Sequence, residues 1–226
     1  MMFLEQHPEY DGRGTLVAVM DTGVDPGTEG LSKTTEGKPK VVAIIDCSGA
    51  GDVATTTVKQ LDTNGRLIGL SGRELQLGDW MNPSGDYRLG IKAAYDFFPT
   101  NLVKRMKEEN KRQFELEQSA MYNAMHLRLK MLEPQKDANT EEYDSLQIAS
   151  EQLSQMMKHY EDPGPIFDCV VFHDGTHWRA AIDASCNGDL RESPLLTDYH
   201  IEYQHATFST FTLLNYSVNI YNEGQL

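Results

Sequence analysis

An apolar run that ends in a single aspartate is the feature that most constrains this chain. Residues 15–27 read TLVAVMDTGVDPG, with residues 16–20 continuously apolar and Asp21 directly after them. A continuous apolar run of this length predicts a strand that is covered on both faces, as in a parallel sheet. Thr22 and Gly23 let the backbone turn there. The carboxylate of Asp21 is therefore expected at the carboxyl edge of an α/β sheet, where the sites of such sheets lie.

The carboxylate of Asp21 has three interpretations. An aspartic peptidase needs a second Asp-Thr/Ser-Gly loop because two carboxylates share one proton, and the nearest second copy, residues 46–49, contains an intruding cysteine. A peptidase of the subtilisin type needs one aspartate, which accepts a hydrogen bond from the histidine that activates the serine. An aspartate that only caps the turn after a strand has the same local sequence. The single loop makes the aspartic pair the weakest interpretation.

A histidine motif further along the chain is a poor partner for Asp21. Residues 173–177 read HDGTH, which is similar to the His-Gly-Thr-His of subtilisin-type enzymes. In those enzymes the motif opens a helix, whereas here an aspartate is inserted and Trp178 continues an alternating strand pattern. An Asp-Gly pair between two alternating runs predicts a type I′ hairpin turn, with His173 and His177 as cross-strand neighbours. The serines stand in turn or helix-surface settings, so the sequence carries at most one member of a catalytic triad.

The composition divides the chain into three regions. Residues 1–98 carry strand and turn signals, including a second apolar run at residues 41–45. Residues 99–163 contain no glycine and repeat apolar residues at helical spacing on both sides of a proline, which predicts an inserted helical hairpin. Residues 164–226 return to alternating patterns and are assigned to the β-rich remainder of the insertion, which leads back toward the first region.

Three local signals predict where elements begin or turn. Asn64-Gly65 between two β-prone runs predicts a β-hairpin. Asn139, with Glu142 three residues later, predicts the N-cap of the second helix of the helical hairpin. Residues 183–194 read DASCNGDLRESP and resemble the first two-thirds of a calcium loop, but proline stands where the bidentate glutamate belongs. A polar turn between strands is therefore favoured over a cation site.

Composition and charge exclude several classes of function. The formal net charge of -14 disfavours nucleic acid as a partner because the protein repels polyanions. No apolar run approaches the roughly 18 residues that span a bilayer, and the chain's start does not resemble a secretory signal, so no membrane partner is expected. The three cysteines, Cys47, Cys169 and Cys186, fit free thiols in a reducing, cytoplasmic compartment and lack the spacing of a zinc site. No metal or cofactor is expected.

Several segments of the chain, taken in order, resemble one family of peptidases. They are PEYDGRGTLVAVMDTGVDPG, GKPKVVAIIDCSGAGDV, YDFFP, DPGPIFDCVVFHDG and LNYSVNIY. The first segment resembles the subtilase aspartate motif, in which an apolar strand is followed by Asp-Ser/Thr-Gly-Ile/Val-Asp. Together the segments are similar to the N-terminal part of the tripeptidyl-peptidase II family, which consists of very large cytosolic subtilases. The resemblance is weakest between residues 101 and 160.

The resemblance implies both a fold and a function. The fold would be α/β, a partial subtilisin-like parallel-sheet domain with a long insertion that contains the helical hairpin and β-hairpins. Asp21 would be the catalytic aspartate of a serine exopeptidase that removes tripeptides from the free N-termini of peptides and self-associates into a large homo-oligomer. In the family the histidine motif follows shortly after the LNYSVNIY segment. The chain is therefore expected to be an N-terminal fragment, inactive alone; the alternative is a non-catalytic assembly module of a large oligomer.

Overall fold

The computed structural model describes residues 2–134, 140–209 and 212–226, and its elements run from strands through helices and back to strands. The α-helices are α1 (Met2–Gln6), α2 (Thr100–Leu132), α3 (Thr140–Lys158) and α4 (Tyr199–Glu202). The strands are β1 (Thr57–Lys59), β2 (Leu67–Ile68), β3 (Glu74–Leu75), β4 (Tyr87–Ala93), β5 (Ile166–His173), β6 (Trp178–Ile182), β7 (Ala206–Thr207) and β8 (Asn215–Tyr216). At this coarse level, the predicted mixed α/β class is right.

Four strands form the central antiparallel sheet, in the spatial order β1, β4, β5, β6. Strand β5 is buried at every position except its two ends, because both of its faces are covered. On one face Val170 and Phe172 pack with Leu67, and on the other Val171 packs with Leu196. The continuous apolar run of β5 thus reflects two-sided burial, as it would in a parallel sheet, although its neighbours are antiparallel.

Helices α2 and α3 form an antiparallel pair. Near the end of α2, Arg128 donates to Glu142 at the start of α3, at 2.7 Å. Nearer the start of α2, Phe114 stacks on Tyr160, just after the end of α3, with ring centroids 4.2 Å apart. The pair agrees with the predicted helical hairpin, while the boundaries of the three regions stay predictions. No helix in the described ranges combines the length and apolar character needed to cross a bilayer.

Residues 16–20 and 41–45 do not form the strands predicted for them. Neither run belongs to a ladder, and Leu16 is 83% and Met20 97% exposed. A strand takes its hydrogen bonds from neighbouring strands, and in the described part of the chain no strand pairs with either run. The second run receives side-chain hydrogen bonds instead, such as that from Nδ2 of Asn219 to the carbonyl of Ile44 at 2.7 Å. Every sheet observed is antiparallel, so the parallel-sheet part of the prediction is not confirmed.

The β5–β6 hairpin forms where it was predicted, but with a different turn. His173 pairs with Trp178, and the amide N–H of Asp174 donates to the carbonyl of His177 at 3.0 Å. The prediction of a two-residue turn with His173 opposite His177 is therefore wrong. The reason is local: the Asp174 carboxylate accepts the N–H groups of Thr176 and His177, each at 2.7 Å, and so stabilises the longer turn.

The Asn64-Gly65 pair forms a turn without the predicted hairpin. The N–H of Gly65 donates to the carbonyl of Asp62 at 2.9 Å. The N–H of Asp62 also donates to the carbonyl of Arg66 across the turn, at 2.8 Å. However, β1 pairs with β4 and β2 pairs with β3, so the strands on the two sides of the turn do not pair with each other. The other local signal, the N-cap at Asn139, lies outside the residues that the structure describes.

Candidate functional site

Asp21 lies on an exposed segment, and its own turn holds its carboxylate. The backbone N–H of Thr22 donates to Oδ1 at 2.6 Å, and the Thr22 hydroxyl donates to the same oxygen at 3.3 Å. Gly23 adopts a φ of 152°, which a residue without Cβ tolerates readily. Among the described residues, Oδ2 receives no hydrogen bond. The turn therefore fixes one carboxylate oxygen and leaves the other open to a donor.

The segment after Asp21 is attached to a distant part of the chain. Oδ1 of Asp25 accepts the Nδ2–H of Asn215 at 2.8 Å and the N–H of Gly27 at 2.8 Å. Pro26 is buried although its neighbours on both sides are exposed. The hydrogen bond from Asn215 is the main reason that the pKa of Asp25 is lowered. Asn215 belongs to the quoted LNYSVNIY segment, but it lies 190 positions from Asp25, and nothing in that segment indicates the contact.

Asp46 lies in the possible second aspartic loop, and its carboxylate accepts hydrogen bonds from its own turn. Its carboxylate accepts the Ser48 hydroxyl at 2.6 Å, the Gly51 N–H at 2.8 Å and the Ser48 N–H at 2.7 Å. These hydrogen bonds lower the pKa of Asp46 to about 2. In the described residues no hydrogen bond joins Asp46 to Asp21. The structure therefore does not bring two carboxylates together to share a proton, as an aspartic peptidase requires.

No histidine contacts the Asp21 carboxylate within the described ranges. Nδ1 of His173 accepts the N–H of Gly175 at 3.1 Å, so this imidazole belongs to the β-hairpin turn. His205 does approach the aspartate segment, since a Cβ built on Gly27 would lie 3.0 Å from its Nε2. No sequence motif marks His205, because only the folded chain brings it beside this segment.

A histidine–aspartate pair occurs elsewhere, at the start of α4. Nδ1 of His200 contacts Oδ1 of Asp198, and the backbone N–H of Ile220 donates to Oδ2 of Asp198 at 2.9 Å. These residues and His173 line a small cavity of about 170 Å³. Asp198 also accepts the backbone N–H of His200 as the N-cap of α4. Its carboxylate therefore serves to hold α4 against the C-terminal segment.

The Asp183 loop is a polar turn. The Asp183 side chain is fully buried, and its two oxygens accept N–H groups of Gly188 at 2.9 Å and Asn187 at 3.2 Å, as well as the Ser185 hydroxyl at 3.1 Å. A guanidinium nitrogen of Arg73 lies 3.4 Å away. Protein donors thus occupy the carboxylate, in agreement with the favoured interpretation. In the described part of the chain, no three His, Cys, Asp or Glu side chains form a group that could hold a metal ion.

The three cysteines are free thiols in different environments. Cys47 is exposed, Cys186 is half-buried and Cys169 is buried in β5. Burial raises the pKa of Cys169 to about 12, and burial also raises the pKa of Cys186. Because the thiolate is the reactive form, neither of these two cysteines is suited to nucleophilic catalysis.

The chain is similar to known proteins along almost its whole length. No model of a protein family matches it. Tripeptidyl-peptidase 2 of Oryza sativa subsp. japonica, however, is 38% identical over 241 residues, and the match covers 99% of the chain. The chain belongs to the tripeptidyl-peptidase 2 family. It spans 17% of the rice relative's length. The family resemblance predicted from the quoted segments is confirmed.

Two further similarities concern the fold and the wider family. A crystal structure of tripeptidyl peptidase 2 matches 98% of this chain and 17% of its own, with a TM-score of 0.62 and 24% identity, which shows a shared fold. Pyrolysin of Pyrococcus furiosus is 44% identical over 87 residues, which cover 38% of this chain and 6% of pyrolysin. Tripeptidyl-peptidase 2 thus shares the mixed architecture of helices and antiparallel sheets described above.

Proposed function

We propose that Asp21 is the aspartate of a Ser-His-Asp triad in a subtilisin-like serine exopeptidase that removes tripeptides from the free N-termini of peptides. One observation carries the proposal: a single Asp-Thr-Gly turn follows an apolar run, in a chain of the tripeptidyl-peptidase 2 family. The name of the relatives supports the reaction. Because the relatives are about six times longer than this chain, they have room for the histidine and the serine.

The geometry of the Asp21 turn suits the role of an orienting carboxylate. In a triad the aspartate accepts the Nδ1–H of the histidine, holds the correct tautomer and stabilises the imidazolium that forms. Thr22 occupies Oδ1 of Asp21 and leaves Oδ2 open. An imidazole could therefore donate to Oδ2 without displacing a protein donor.

The exposure of the two apolar runs favours a sheet in which strands from the longer protein cover them. Val17 is 74% and Val19 78% exposed, and in the second run Ile45 is 69% exposed. Leaving such side chains in water costs about 25 cal/mol for each Å² of apolar surface. We propose that residues 16–20 and 41–45 become strands of a subtilisin-like parallel sheet when strands from the longer protein lie beside them.

The 226-residue chain alone is expected not to hydrolyse peptides. Its described residues pair no histidine with Asp21, and loss of the catalytic serine or histidine of a triad lowers kcat about 10⁶-fold. The free thiols support a cytoplasmic location for the longer enzyme, because disulfides are rare in reducing compartments.

Substitution of Asp21 in the full-length enzyme tests the proposal. Asp21→Asn should keep the fold and lower kcat about 10⁴-fold, because an amide favours the wrong histidine tautomer. Asp46→Asn is the matched control, since Asp46 also accepts hydrogen bonds from its own exposed turn, and it should leave kcat unchanged. Normal release of tripeptides by Asp21→Asn would refute the proposed role.

A role in assembly is the second candidate function, and the helical hairpin favours it. The paired helices leave large apolar side chains in solvent: Leu127 is 62%, Met131 63% and Met156 60% exposed. Such side chains, when they lie together, mark protein contact surfaces. Met131→Glu and Met156→Glu should then shift the full-length protein to smaller species in sedimentation velocity. Unchanged sedimentation would count against this second candidate.

A further inference from the structure

Asn215 is held so that its amide nitrogen points toward the segment that follows Asp21. It lies in β8 opposite Thr207 of β7, and the Thr207 hydroxyl donates to Oδ1 of Asn215 at 2.5 Å. With Oδ1 occupied as an acceptor, Nδ2 is the donor, and it lies 2.8 Å from Oδ1 of Asp25. The small sheet therefore determines which end of the amide faces Asp25.

The backbone around Asp25 fits closely against Asn215. Oδ1 of Asp25 also accepts the N–H of Gly27 and closes a short turn around the buried Pro26. A Cβ on Gly27 would lie 2.4 Å from Nδ2 of Asn215, so no larger residue fits there without displacing the amide. Among the described residues, the bond from Asn215 is the hydrogen bond that ties residues 16–27 to a distant part of the chain.

We propose that Asn215 is a positioning residue of the peptidase, which acts through Asp25 to fix the turn that carries Asp21. The inference rests on the proposed function. Asp25 lies four positions after Asp21, and residues 21–25 are all exposed. The turn that Asp25 closes is therefore the nearest point at which the exposed segment with Asp21 is attached to the rest of the described chain. Without the bond from Asn215, the Asp21 carboxylate would lose its fixed position relative to the histidine. A misplacement of about 1 Å costs roughly 100-fold in rate.

The experiment compares variants of the full-length enzyme. Asn215→Leu removes the donor at similar volume and should lower kcat about 10- to 100-fold with KM unchanged. Gly27→Ala disturbs the same contact from the side of Gly27 and should lower kcat by a similar factor. This second variant keeps the test valid if Asn215→Leu does not fold. Asn82→Leu, in a separate turn where Asn82 donates to the carbonyl of Asp86, is the matched control and should keep kcat.

A charge variant separates positioning from loss of structure. Asn215→Asp places two carboxylates against each other, so its kcat should be low at neutral pH. Its kcat relative to wild type should recover as the pH falls, because like charges raise the pKa of one group until it holds a proton and donates again. Asp25→Asn combined with Asn215→Asp restores one donor and one acceptor and should recover most of the rate.

Two outcomes distinguish this inference from the proposed function. If Asp21→Asn abolishes turnover while Asn215→Leu and Gly27→Ala leave kcat intact, the positioning role is overturned and the peptidase assignment stands. If Asp21→Asn has normal turnover, the assignment of Asp21 to the triad fails. Hydrogen exchange then decides whether Asn215 holds the turn: the inference expects faster exchange of residues 16–27 in Asn215→Leu than in Asn82→Leu, and equal exchange overturns it.

Discussion

A guanidinium nitrogen of Arg73 lies 2.9 Å from the carboxylate of Asp168, a residue that is only 1% exposed in the middle of the central sheet. The same nitrogen lies 3.4 Å from the fully buried Asp183, just after β6. The N–H of Ser71 also donates to Asp168, at 3.0 Å. The guanidinium of Arg73, on the turn between β2 and β3, thus pairs with two buried carboxylates and joins that turn to the central sheet.

Arg73→Leu should be strongly destabilising. It would leave two buried carboxylates without their cation, and breaking a buried pair in this way costs about 3–5 kcal/mol. The free energy of unfolding can be measured by urea denaturation, with the fluorescence of Trp80 and Trp178 as the signal. Arg66→Leu is the control, because Arg66 pairs with Asp62 at the surface, where ion pairs contribute about 0–1 kcal/mol. Equal losses in the two variants would contradict the structural role of Arg73.

Phe172→Ala should test the core on one face of the central sheet. Phe172 is 1% exposed and stacks on Trp80 with ring centroids 5.3 Å apart. Removing a buried aromatic ring costs about 3–5 kcal/mol, and the emission of Trp80 should move to longer wavelength as water enters. Phe3→Ala, at a residue that is 60% exposed, should change the free energy of unfolding by less than about 0.5 kcal/mol. Similar effects at both sites would mean that this core is wrongly assigned.

The turn of the β5–β6 hairpin should show a defined pH dependence. Burial opposes the charge on Asp174, but hydrogen bonds from the His177 N–H, the Arg179 guanidinium and the Thr176 N–H outweigh it and lower its pKa. A lowered pKa in the folded state stabilises the protein above the unfolded pKa of about 3.9, and this contribution is lost as the pH falls further. Asp174→Asn should therefore cost about 1–2 kcal/mol at pH 7, and progressively less below pH 4.

The matched control for Asp174 is an aspartate on the exposed surface of α3. Asp144→Asn should leave the free energy of unfolding nearly unchanged at both pH values, because surface substitutions stay within about 0.5 kcal/mol. A cost of Asp174→Asn that stays constant between pH 7 and pH 3 would show that its charge does not stabilise the turn.

His173→Ala should leave the turnover of the full-length enzyme unchanged. The His173 imidazole accepts the N–H of Gly175 and stands edge-on to Trp178 at 5.2 Å, so it serves the hairpin. Tripeptide release should be measured beside Asp21→Asn in the same assay. A collapse of kcat with an unchanged circular dichroism spectrum would identify His173 as a catalytic residue after all.

Local patterns determined the helical hairpin and the strands β5 and β6. Residues three and four positions apart share one face of a helix, and alternate residues share one face of a strand. The spacing of apolar residues in α2 and α3 therefore indicates their buried faces without knowledge of any partner. The Asp-Gly pair likewise predicted a hairpin, although the side chain of Asp174 selected a longer turn than the backbone preference did.

Residues 16–20 show where a local pattern is insufficient. Their apolar run indicates burial on both faces, but strand hydrogen bonds come from neighbouring strands, and the described residues supply none. The same pattern in β5 gave a strand because β4 and β6 lie on its two sides. Partners, rather than composition, decided the difference between these two runs.

The sequence by itself determined the family, the carboxylate at Asp21 with its turn, and the elements whose periodicity is local. Only the tertiary structure decided that Asn215 holds the turn after Asp21 and that Arg73 serves Asp168 and Asp183. These contacts join residues that are 190, 95 and 110 positions apart. The physical reason is that a hydrogen bond depends on distance and direction in space, and folding alone brings such distant side chains within reach of each other.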